Sequence, residues 1–230
     1  MNLLDRLETD NHKADRLQAV VRSGQVIDQR LKGDGSFPNN ESLPLLVYQG
    51  ALALPQSNPA ALVEDLFESN GWNGSWRNGI YGFHHYHATA HEVLGIYSGS
   101  AEVQLGGGNG ITLTIRRGDV VIIPAGVAHK NLGAGSDFRV VGAYPQGQSP
   151  DMCYGKTSER PQADDHIAGV SLPHMDPVYG AGGPLKTHWK IGREIKCKII
   201  FQPNINSLFI YHVIHVLCGI RVDVRVGPRR

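Results

Sequence analysis

The stretch Gly79-Ile-Tyr-Gly-Phe-His84-His85-Tyr86-His87-Ala-Thr-Ala-His91-Glu92-Val-Leu-Gly-Ile-Tyr-Ser-Gly99 decides how this chain is read. Two imidazoles, His85 and His87, stand two residues apart, and a carboxylate, Glu92, follows five residues later. The text reads as β. In a strand, residues i and i+2 point to the same face, so His85 and His87 aim into one space. A reversal over Ala88, Thr89 and Ala90 lets Glu92 return to that space from the next strand. Two neutral imidazoles and a carboxylate suit a first-row divalent metal. A further donor is expected. His129, in Gly118-Asp-Val-Val-Ile-Ile-Pro124-Ala-Gly126-Val-Ala-His129, is well placed to supply it.

The two blocks resemble the cupin superfamily. Its first pattern is Gly, five residues, His-x-His, three or four residues, Glu, six residues, Gly; Gly79, His85, His87, Glu92 and Gly99 fit every position. Its second is Gly, five residues, Pro-x-Gly, two residues, His, three residues, Asn. Gly118, Pro124, Gly126 and His129 fit, but position 133 is Gly133 and an Asn comes early, at Asn131. The wording is also similar to a group of small bacterial-type cupins sharing His-Tyr-His, His-Glu-Val-Leu-Gly and Ile-Pro-Ala-Gly-Val-x-His-Lys. The resemblance runs from about residue 25 to residue 190. It implies an all-β, antiparallel double-sheet jelly-roll barrel, here with one flanking amphipathic helix, and a metal in the barrel mouth.

Composition agrees with one domain of ordinary size. The chain has 230 residues, 41% of them hydrophobic, and a net charge of +1. That charge argues against nucleic acid or an anionic membrane as an obligatory partner. Cys153, Cys197 and Cys218 are an odd number with no close spacing. They make neither a disulfide framework nor a Cys-x-x-Cys metal pair, and reduced thiols in a cytoplasmic protein are expected. The polar start of the chain has no apolar signal-peptide region.

Along the chain, residues 1–24 read as a loosely held helix or arm. Gln25 to Leu31 and Leu45 to Gln49 read as strands, and Pro38-Asn39-Asn40 as a loop. Asn58-Pro59 marks a helix start, with Asn as N-cap and Pro at the first helical position. Leu62, Val63, Leu66 and Phe67 form its apolar face, and Gly71 ends it after Asn70. The segment from Gly79 to Tyr144 reads as β throughout. Ile111-Thr-Leu-Thr-Ile115 alternates strictly, which marks a sheet with one wet face. Gly106-Gly-Gly-Asn-Gly110 leads into a strand and lacks Gly-Lys-Ser/Thr, so it is a turn and not a phosphate loop. From Pro145 to Pro184 a long wrapping loop with short elements is expected. The domain therefore spans 25–190. Residues 191–230 form a basic and apolar extension, with seven Lys or Arg against two acids. Its apolar run Leu208 to Ile220 is shorter than the ~20 residues of a membrane span.

Of the remaining candidates, Tyr81 and Phe83 share parity with His85 and His87 and are expected inward, beneath or beside the metal, as core filling rather than substrate contact. His84 and His91 each sit beside a donor, His85 and Glu92 respectively, so they point to the opposite face and are expected at a surface or interface, with an orienting role for His91 as the alternative. His84 and Tyr86 fall on an outer face suited to a homodimer. No Gly-x-Ser-x-Gly and no activated cysteine is present. The expected cofactor is one divalent transition metal (Mn, Fe, Ni, Co or Zn), bound by His85, His87, Glu92 and His129 with a small-molecule ligand or substrate. The expected activity is that of a metal-dependent enzyme of oxygenase, decarboxylase, isomerase or lyase type. A non-catalytic metal or small-ligand binding or storage module is the alternative.

Overall fold

Helix α1 (Leu3–Val20) leads into strands β1 (Gln25–Leu31) and β2 (Asn40–Gln49), then helix α2 (Pro59–Ser69). Strands β3 (Trp72–Asn78), β4 (Glu92–Ser98), β5 (Ser100–Leu105), β6 (Ile111–Arg116), β7 (Val120–Ile123), β8 (His129–Ala134) and β9 (Arg139–Pro145) follow. A 3-10 turn, Thr157–Glu159, and helices α3 (Gln162–Gly169) and α4 (Pro184–His188) complete the order. This computed structural model describes residues 3–190, with side chains from residue 12 onward. The extension at 191–230 lies outside the described residues.

The strands form two antiparallel sheets, one of six strands in the order β1-β2-β7-β4-β9-β3 and one of three, β6-β5-β8. No ladder joins the two sheets among the described strands, so the jelly roll is a sandwich rather than a closed barrel. Strand β7 shows how the six-stranded sheet is buried. Val121 and Ile123 face the inter-sheet core with Leu45, Val47, Leu94, Ile96 and Val103. Val120 and Ile122 face the opposite side, where Val63, Leu66, Phe67, Leu185 and Trp189 cover them. Burial on both faces explains continuous apolar text where a half-wet strand would alternate. The small sheet does alternate, with Thr112 and Thr114 exposed and Ile115 buried.

Helix α2 begins with Pro59, but Asn58 does not cap it with its side chain; Asn58 takes a left-handed backbone (φ 52°, ψ 44°) instead. The helix lies against β4 at Gly95, where a Cβ would come within 2.6 Å of Val63 Cγ1 and 2.9 Å of Phe67 Cζ. Helix α1 ends docked, with Leu17 and Val20 buried in the same cluster.

The Pro38-Asn39-Asn40 segment does more than connect. Asn40 opens β2, and both amides are buried. Asn39 Nδ2 donates to the Lys32 and Gly106 carbonyls, while its Oδ1 accepts from the Ala128 N–H (3.2 Å). Asn40 Nδ2 donates to the Ala125 carbonyl (3.0 Å). These bonds hold the turn that precedes His129. In that turn Gly126 has φ 91°, and a Cβ there would lie 2.5 Å from the Asn39 carbonyl oxygen, so both conformation and space demand glycine. The Asn expected at 133 is displaced because β8 carries a bulge. Val103 pairs with Asn131 and Glu102 with Gly133, leaving Leu132 between them.

Candidate metal centre

His85 and His87 do not lie in a regular strand, which corrects the continuous β reading of residues 79–91. Two isolated bridges hold the backbone extended instead. His85 pairs with His129, its N–H donating to the His129 carbonyl (3.3 Å) and its carbonyl accepting in return (2.9 Å). Tyr86 exchanges two 3.0 Å bonds with Cys153. Between these clamps the i, i+2 alternation holds locally. Glu92 opens β4 and His129 opens β8, at the same end of the sandwich.

The three imidazoles converge. One ring nitrogen from each of His85, His87 and His129 lies within 4.8 Å of the other two, and all three residues are buried. Glu92, 2% exposed, stands beside this cluster. Its Oε2 is 3.2 Å from His129 Nε2 and its Oε1 is 3.6 Å from His87 Nε2. Neither approach has hydrogen-bond geometry, and Oε2 is a buried acceptor without a hydrogen-bond partner. An orphaned buried carboxylate oxygen is costly. A cation among the donors would satisfy it.

Each imidazole is oriented from behind. Nδ1 of His85 faces the Phe83 carbonyl (3.3 Å), Nδ1 of His129 faces the Val127 carbonyl (3.2 Å), and Nδ1 of His87 faces the Asp151 carbonyl. A carbonyl oxygen only accepts, so each Nδ1 carries the proton and each Nε2 keeps its lone pair. That is the tautomer and the outer support a metal-binding imidazole needs. Burial, reinforced by the neighbouring His129, pushes His85 down to about 3. Burial also opposes charge on His87, but the adjacent Glu92 carboxylate outweighs it and raises His87 above the ordinary value. Burial alone would raise Glu92, yet His129 and His87 pull its carboxyl well below the usual range. The donor set fits a divalent transition metal in a cavity of about 310 Å³.

Tyr144 in β9 was not anticipated from the sequence. It lines the cavity, with its ring edge-on to His87 (centroids 5.9 Å apart). Its hydroxyl oxygen accepts the Trp76 Nε1–H (2.9 Å), which leaves the hydroxyl proton to point elsewhere. Burial and the nearby Glu92 charge raise its pKa, so Tyr144 is a proton holder rather than an anion. The only sequence signal was its partner. Trp76 lies over Gly142, where a Cβ would sit 2.2 Å from the indole.

Other expectations need correction. Tyr81 and Phe83 are not core residues; they are 49% and 47% exposed, stacked on each other at the cavity mouth. Tyr81 does line the cavity, and both rings stand edge-on to His85. His91 is not a surface residue. It is 1% exposed and points away from the three imidazoles, accepting the Ala125 N–H on Nδ1 (2.9 Å) and packing on Trp189. Burial lowers it to about 4, so it is a neutral strut between the two motifs. Tyr86 does not lie on an open dimer face either. It is fully buried and its hydroxyl donates to Glu159 (3.0 Å). His84 is half-buried, bonded to Gln104 and packed against Phe37.

The fold is a double-sheet jelly roll, with three buried, outward-braced imidazoles at one end that could hold a metal ion. Residues 77–147 match the family model described as Cupin. The chain is 42% identical, over 156 residues, to the uncharacterised protein YjlB of Bacillus subtilis (strain 168); the match covers 68% of this chain and 92% of that protein. The chain belongs to the cupin superfamily. Among solved structures, acireductone dioxygenase from Bacillus anthracis, with a cadmium ion in its active centre, superposes with a TM-score of 0.32 at 15% identity, covering 56% of this chain and 84% of that one. Procruciferin, an 11S globulin from Brassica napus, superposes with a TM-score of 0.28 at 17% identity. There the match covers 49% of this chain, which spans only 22% of procruciferin. No helix among the described residues is long and apolar enough to cross a membrane.

Proposed function

We propose that this chain is a metal-dependent enzyme acting on a small metabolite at the open side of a centre built by His85, His87, His129 and Glu92. One observation carries the reading: three buried imidazoles have Nδ1 against a backbone carbonyl, converging beside a carboxylate whose Oε2 lacks a hydrogen-bond partner. Metal–donor distances of about 2.0–2.2 Å are expected when the site is loaded. A bound Mn, Fe, Ni, Co or Zn ion would supply Lewis acidity or oxygen activation at its open positions. Glu92 balances the charge, and the backbone carbonyls keep the imidazoles from turning. Tyr144 holds a proton at the cavity wall and is the group on this chain best placed to deliver it to a ligand, in an oxygenase, decarboxylase, isomerase or lyase type of reaction.

Elemental analysis of freshly purified protein, beside the His87→Ala variant, tests the metal. One equivalent in the parent and its loss in the variant are expected. A metabolite-pool turnover screen with the metal found then tests the enzyme. A tightly held metal with no turnover in any pool would favour the non-catalytic holder instead.

A further inference from the structure

We infer that the ligand of this pocket has a metal-seeking polar head and a flat apolar tail, and that the tail lies on an aromatic rim made by Tyr81, Phe83 and Tyr154. The inference rests on the metal reading above and adds to it the chemical class of the ligand.

Few large apolar side chains of the described residues are exposed, and four of them gather at one place: Tyr81, Phe83, Met152 and Tyr154, at 40–49% exposure. Exposed apolar surface that is gathered, rather than scattered, marks a contact site. The rings of Tyr81 and Phe83 stack at 4.8 Å with 20° between planes, and Tyr154 continues the row 6.0 Å from Phe83. The row starts at the metal donors, since Tyr81 stands 5.1 Å edge-on from the His85 ring. Tyr81 and Met152 also line the cavity itself, so rim and cavity are one surface.

The rim is braced through its backbone. The Tyr81 carbonyl accepts the Asn131 N–H (2.8 Å), and the Phe83 carbonyl is the one that orients His85. The aromatic platform and the metal donors are thus parts of one frame. The cavity volume of about 310 Å³ is at the low end of the roughly 300–1,000 Å³ of small-molecule sites. The polar floor suits a small head group, and a longer ligand that leaves past Tyr81 meets the rim. A second copy of the chain is a poorer occupant. An interface draws on roughly 20–30 residues a side, and a partner seated on these four side chains would stop up the cavity mouth.

The test uses the full chain loaded with Co(II), whose visible spectrum reports ligand exchange. Acetohydroxamate and benzohydroxamate carry the same chelating head and differ by a phenyl tail. Benzohydroxamate should bind at least about tenfold more tightly, through ring stacking on the rim. The double variant Tyr81→Ala, Phe83→Ala should reduce that ratio to near one. Leu172→Ala, an exposed apolar side chain away from the cavity, should keep the ratio. Equal affinities in the parent would overturn the inference while the cobalt spectrum left the metal reading standing. No cobalt spectrum would remove the metal reading and the inference with it. A parent dimer that the double variant dissociates, measured by sedimentation, would assign the rim to a second copy and overturn the inference.

Discussion

Replacing Asp151 by alanine should weaken metal binding although this side chain touches no proposed donor. Its carboxylate Oδ1 accepts the Ala88 N–H (2.6 Å) and the Thr89 N–H (3.2 Å), while its own N–H donates to Thr89 Oγ1 (3.0 Å). This closed loop fixes the Asp151 carbonyl against His87 Nδ1. In Asp151→Ala the buried Ala88 N–H loses a charged acceptor, worth about 1.5–3 kcal/mol. The Thr89 N–H is less buried and finds water, so about 2–3 kcal/mol of stability should be lost in all. Loss of an outer partner of a metal-binding imidazole costs about 10–100-fold in affinity. The carbonyl itself survives in this variant, so about tenfold is expected. Asp151→Asn keeps an oxygen acceptor and should restore most of both losses. Urea unfolding of the metal-free protein and Co(II) titration against a competing chelator measure the two effects. Burial tends to raise the Asp151 carboxyl, but the N–H groups of Ala88 and Thr89 outweigh it and hold it below the usual range. Its contribution is therefore complete above the unfolded value near pH 4 and fades as pH falls through the lower folded value. Unchanged metal affinity in Asp151→Ala, with affinity lost in His87→Ala, would refute the idea that this loop orients the imidazole.

Proton competition should make metal binding pH-dependent through His87 first. Its pKa is raised in the metal-free chain, so affinity measured by competition titration should begin to fall above the ordinary 6.5, by about tenfold per pH unit for each competing proton. His85, lowered to about 3, should not compete in that range; no loss of affinity between pH 8 and 5 would refute the site. On the far side of the large sheet, the Tyr48 hydroxyl donates to Asp176 Oδ2 (2.7 Å), and both residues are fully buried. Tyr48→Phe should cost about 1.5–3 kcal/mol in urea unfolding. Asp176→Ala should cost more, because it also strands the N–H groups of Val178, Tyr179 and Leu185.

What could be read from the sequence was local. Strand alternation sent His85 and His87 one way and His84 and Tyr86 the other, and set His91 opposite its neighbour Glu92; the structure keeps that division. The failures concern what each face meets. His91 does point away from the donors, but helix α4 and its neighbour Trp189 cover that side, so the opposite face is interior. Tyr86 is covered in turn by Phe37, Cys153 and Glu159. Tyr81 and Phe83 share a face with the donors but lie past the end of the sandwich, where the face opens to water. Alternation gives direction and not depth. The glycines of the second motif were legible for a firmer reason, since Gly118 and Gly126 occupy φ near 94° and 91°, where a side chain is strained.

The segment from Pro145 to Pro184 reads as a wrapping loop, and it is the part that braces the residues of the two motifs at the candidate site. It has no apolar period because it buries little of its own. It contributes single polar contacts at wide intervals instead. Asp151 aims His87, Glu159 holds the hydroxyl of Tyr86, which stands between the two imidazoles, and Asp176 fastens the segment to β2 through Tyr48. Each contact joins residues more than sixty positions apart, and no pattern within a short window can report such a bond. The sequence motifs name the atoms proposed to face a metal. The backbone carbonyls and carboxylates that aim those atoms come from text that reads as loop, and a substitution there acts on the chemistry through geometry alone.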